Sequence, residues 1–83
     1  MIPTSNHIYS CTWEHNGDTY LNLITDVTST NIIGRCVSST DSTYFDVNPE
    51  DSKHIKWDLS FWKNNESTII DLGHIDNFPE LLI

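Results

Sequence analysis

Apolar and polar residues alternate along most of this chain, in short blocks separated by turn residues. The first two blocks flank Asn16-Gly17, a pair that tolerates positive φ at both positions and suits a two-residue type I′ hairpin. Such a loop fixes the register, with Trp13 opposite Tyr20, Cys11 opposite Asn22 and Tyr9 opposite Ile24. One side of the hairpin then carries Tyr9, Cys11, Trp13, Tyr20 and Ile24, and the other Ile8, Thr12, Leu21 and Leu23. The aromatic side is the expected core face.

Residues 26–31 are polar and lead into a third strand at 32–37, in which Gly34 marks a bulge or a close approach of two backbones. A turn at 38–42 precedes Thr43-Tyr44-Phe45-Asp46-Val47, whose β-branched and aromatic residues predict a fourth strand. Asn48-Pro49-Glu50-Asp51 then reads as a helix start, with Asn as N-cap, Pro in the first position and acids where the macrodipole favours them.

How far that helix runs is decided by periodicity. A helical wheel gathers Ile55, Leu59 and Trp62 but places Trp57 and Phe61 on the opposite side, whereas a period of two aligns Ile55, Trp57, Leu59 and Phe61. The alternation therefore predicts a single helical turn at 49–52 and a fifth strand over 53–62, with Trp62 pointing outward. Asn64-Asn65 closes a second hairpin, because Asn tolerates positive φ; it sets Phe61 opposite Thr68, Leu59 opposite Ile70 and Trp57 opposite Leu72. Residues 73–83 are too short for an independent helix and are expected to dock their apolar end as a turn or edge strand.

These blocks define one mainly β domain: a small antiparallel sheet, sandwich or partly closed barrel of about six short strands with one short helical turn. An α+β fold with a longer helix from Asn48 is the alternative. Composition agrees, since the chain has no Ala or Gln and is rich in Ile, Thr and Ser, which suit strands and turns. At 83 residues there is room for one core.

The opening residues carry no cationic segment before an apolar run, and no stretch approaches the roughly 20 apolar residues of a membrane span; a cytoplasmic protein is expected. In that setting Cys11 and Cys36 are expected as buried, reduced thiols. Four histidines raise the question of a metal, but no pair has the close spacing of a structural zinc site. His7, Cys11 and His15 share a strand face at intervals of about 13 Å, too far for two of them to hold one ion. Nothing resembles a nucleophile elbow, so no cofactor or catalytic residue is assigned.

Charge changes the picture more than any motif. Twelve acids face four bases, a net charge of -8, which repels phosphate backbones and steers cationic partners. Asp41, Asp46, Glu50 and Asp51 fall in one base-free stretch, and Trp62, read as pointing outward beside the Asn64-Asn65 turn, supplies an aromatic interface anchor. These five residues form the candidate partner-binding site. In charge and size, though in no motif, the chain resembles nuclease-toxin immunity proteins and phage-encoded inhibitors of defence nucleases. The expected function is a non-enzymatic inhibitor that blocks a basic nuclease or other nucleic-acid-acting protein. An accessory or assembly subunit of a larger complex is the alternative, and an enzyme working through Glu50, Asp51 and a neighbouring His is a weaker third.

Overall fold

The alternating blocks pair as a meander in a computed structural model that describes residues 2–82. Strands β1 (His7–Thr12), β2 (Thr19–Val27), β3 (Asn31–Ser39) and β4 (Ile55–Asp58) follow one another antiparallel. β5 (Ile69–His74) returns to pair antiparallel with β1, giving the order β4-β3-β2-β1-β5. The protein is mainly β, with five strands in place of about six.

The first hairpin keeps its predicted faces but not its register. Cys11 lies opposite Tyr20 and Tyr9 opposite Asn22, two residues out of the predicted pairing, and a shift of two preserves which side chains share a face. The cause is the loop. Trp13 N–H donates to Asp18 O at 3.0 Å and Gly17 N–H to Trp13 O at 2.8 Å, so four residues, not two, make the connection. Gly17 alone takes positive φ (72°), while Asn16 accepts from Asp18 N–H through its side chain, as Asn does in turns.

Gly34 does what its place in β3 predicts. It sits opposite Ile24 beside a register shift between Ile24 and Asp26, and a Cβ there would overlap the Leu23 carbonyl oxygen.

Three other expectations fail. Residues 43–47 are not a strand: α1 (Tyr44–Val47) is a helical turn, followed by the expected helical turn at Pro49–Ser52, which is of 3₁₀ form. The strand predicted over 53–62 stops at Asp58, where α2 (Leu59–Asn65) begins. Asn64-Asn65 therefore closes no hairpin; the Asn65 side chain donates to Phe61 O at 2.8 Å and ends the helix. β4 and β5 do not pair with each other but lie at opposite edges of the sheet, and α2 with a 3₁₀ turn at Glu66–Thr68 spans the interval between them.

That crossing lays Trp62 over the aromatic face. Tyr9, Cys11, Ile24, Ile32, Trp62 and Ile69 are buried together, with Trp57, Leu59 and Phe61 packed around them. The opposite face is covered as well: Ile8 and Leu23 are buried under Ile75, with Phe78 and Leu81 alongside, from the 3₁₀ turns Ile75–Asn77 and Pro79–Leu82. The expected docking of the C-terminal end thus holds to Leu81; Ile83 lies outside the described residues. Among the described residues no helix is long and apolar enough to cross a membrane.

Both cysteines are buried free thiols. Burial pushes each from 9.0 up to about 11, and the Tyr9 hydroxyl is raised by the same cause. A folded-state pKa above the unfolded one favours the neutral form on folding. Its contribution is complete below the unfolded value and is lost as pH rises through the folded one. The expected result is a melting temperature that falls as pH rises from 9.0 to about 11, and falls less steeply in Cys36→Ala; equal slopes would exclude the Cys36 thiol as a cause.

Candidate functional site

The acidic stretch is ordered by its own side chains. Asp41 Oδ1 accepts from the Thr43 N–H at 3.0 Å and from its hydroxyl at 2.9 Å, an Asx turn that bends the chain off the end of β3. The backbone then closes on itself, Asp46 N–H and Val47 N–H each donating to Thr43 O at 3.1 Å. This local bonding explains why a segment with strand-like composition turns helical.

Tyr44 fixes the segment to the sheet. Its ring packs against Tyr20 with centroids 4.8 Å apart, and its hydroxyl donates to Asp51 Oδ2, tying the 3₁₀ turn at Pro49–Ser52 back onto α1. Burial, reinforced by the Asp51 carboxylate, raises the Tyr44 hydroxyl above the usual phenol range. Asp41 and Asp51 are therefore occupied within the fold.

Asp46 and Glu50 are not. Both are exposed, and neither side chain makes a hydrogen bond or ion pair among the described residues. Between them Val47 is 74 % exposed, an apolar side chain on an acidic turn. Read as a strand residue, Val47 gave no sign of this; only the helical turn brings it out of the sheet.

Trp62 does not belong to this site. It is 1 % exposed, with its ring edge-on to Tyr9 at 5.1 Å and to Trp57 at 5.9 Å. The outward assignment followed from extending the strand's period of two past Asp58; on α2 the same residue turns into the core. An anchor for a partner must be sought elsewhere.

A second polar cluster forms where β5 meets β1. His7 Nδ1 lies 2.9 Å from Asp71 Oδ1, and the Tyr9 hydroxyl donates to Asp71 Oδ2 at 3.3 Å while accepting from the Thr4 N–H at 2.7 Å. Burial alone would raise the Asp71 carboxyl, but the His7 ring and the Gly73 N–H hold it below its ordinary value. Its members are far apart in sequence, and only the β1–β5 pairing, which was not foreseen, joins them. Among the described residues no serine, threonine or cysteine side chain hydrogen-bonds to a histidine, and no three His, Cys, Asp or Glu groups converge as a metal site would require. The cluster orders an edge strand and presents no activated nucleophile.

Comparison with known family models, curated proteins and solved structures finds no match to this chain.

Proposed function

We propose that the protein is a non-enzymatic inhibitor of the immunity or anti-defence type. In this reading it acts in the cytoplasm by binding a basic nuclease or other nucleic-acid-acting protein. The observation that carries the proposal is the turn formed by α1 and the following 3₁₀ segment, where Asp46 and Glu50 stand unpaired around exposed Val47. Asp41 and Asp51 hold that turn in shape from behind. Unpaired acids on a chain of charge -8 raise the encounter rate with a cationic surface, and a central apolar residue slows its release.

The test uses purified basic nucleases and measures both inhibition and association kinetics. Association is expected to slow between low salt and about 0.5 M, where the screening length shortens to a few Å. Asp46→Asn and Glu50→Gln are expected to slow association, and Val47→Ala to speed dissociation, with unchanged melting temperatures. Absence of inhibition, or association indifferent to salt, would overturn the proposal.

One observation favours the alternative of an assembly subunit. β5 is an edge strand without Lys, Arg or Pro, and Ile70 on it is 60 % exposed. Edges of that kind pair with strands of other chains. Oligomerisation or copurification through β5, abolished by Ile70→Lys, is the outcome that alternative requires.

A further inference from the structure

A cleft of about 350 Å³ opens where the β1–β2 loop faces the C-terminal end of α2. Its volume falls in the range of small-molecule sites. Trp13, Glu14 and His15 form one wall, and Asn64, Asn65 and Ser67 the other. The acidic turn contributes nothing to it.

Thr12 and Thr68 also line the cleft and spend their hydroxyls on Thr19 and on the Asn65 carbonyl, but other polar groups of the cleft are unspent. The side chains of Glu14, Asn64 and Ser67 make no hydrogen bond or ion pair with any described residue, and His15 makes only a ring contact with Trp13. Asn65 uses its Nδ2 on Phe61 O, which leaves its Oδ1 as an acceptor. Together they offer donors from an amide, a hydroxyl and an imidazole, and acceptors from a carboxylate and two amides.

The ligand's charge follows from what is missing around it. Among the described residues no Lys or Arg lines the cleft, and Glu14 together with the overall charge opposes an anion. One carboxylate is too few for a hard cation. A neutral molecule with both donors and acceptors fits, and hydroxyl groups supply both at each position. Trp13, half-buried against Phe61 at 5.5 Å, provides the apolar body on which the carbon face of such a ring can rest.

A second feature narrows the class. The cleft adjoins a mostly apolar notch of about 10 Å³ lined by Cys11, Trp13, Phe61, Asn65, Thr68 and Ile69. That space takes one small group the size of a water or a methyl. Asn65 and Thr68 border both spaces, so side chains with hydrogen-bonding groups lie beside the notch. An acetamido group has the matching order, a methyl next to an N–H donor.

We propose that this cleft binds an N-acetylated hexose, with the sugar ring against Trp13 and the acetamido methyl in the notch. The test titrates N-acetylglucosamine into the isotope-labelled full chain. The signals followed are the Trp13 indole and the side-chain amides of Asn64 and Asn65. Those signals are expected to shift and saturate, with glucose binding about fourfold more weakly for want of one buried methyl. Asn64→Ala and Glu14→Ala, both at exposed positions, are each expected to weaken binding about fivefold, the worth of one hydrogen bond, with unchanged melting. No shift at Trp13 and Asn64, shifts confined to other parts of the chain, or equal affinity for glucose would each overturn the proposal.

Discussion

Trp62→Ala is expected to destabilise the protein by about 3–5 kcal/mol, the usual range for removing a buried indole. A domain of 83 residues holds about 4–12 kcal/mol in all, so the variant should lose from about a quarter to all of its stability. The expectation rests on position as well as size. Trp62 comes from the crossing helix, yet it touches Tyr9 of β1 and Trp57 of β4, so its loss loosens the contact between α2 and the sheet at both points. Trp57→Ala removes a residue only half-buried and should cost less. Trp62→Phe should recover much of the stability, because the indole Nε1 is buried with no hydrogen-bond partner among the described residues and phenylalanine omits that donor. Urea unfolding of the three variants decides the matter. A Trp62→Ala midpoint near that of the wild type would mean that α2 does not hold the aromatic face.

The sheet was legible from the sequence wherever one period ran uninterrupted. Tyr9, Cys11 and Ile24 against Ile8 and Leu23 divide correctly between the two faces, even with the register two residues off, because a slip of two leaves each side chain on its own face. What alternation did not convey is that both faces are buried; the cover for the second comes from Ile75, Phe78 and Leu81 in 3₁₀ turns without a periodic signature. The segment from Ile55 to Asn65 failed for a sharper reason. Its period changes at Asp58, and a single period fitted across the change placed Trp62 outside. Trp57, Leu59 and Phe61 do pack on one cluster, but the first reaches it from a strand and the other two from a helix. The candidate site divides in the same way: its acids were legible as charge, whereas their partners Thr43 and Tyr44 became visible only with the chain bent at Asp41.

Gly34→Ala is expected to be as damaging as loss of Trp62, for an opposite reason. A Cβ at Gly34 would overlap the Leu23 carbonyl oxygen and lie 3.1 Å from the Leu23 carbonyl carbon and 3.2 Å from Ile24 Cα. All three are backbone atoms of the neighbouring strand, so no rotamer change relieves the contact. β2 and β3 must separate at the bulge between Ile24 and Asp26, and Ile24 and Ile32, both fully buried beside it, must move with them. Overpacking of a side chain costs about 1–3 kcal/mol; with backbone on the far side, about 3 kcal/mol or more is expected. Gly17→Ala is the control. Gly17 has φ of 72° but nothing within 4 Å of an added Cβ, so only the left-handed backbone is penalised, at about 1–2 kcal/mol. Thermal melting of the two variants separates close packing from conformational strain. If Gly17→Ala proves the more harmful, the tight approach of β2 to β3 is not what requires glycine at position 34.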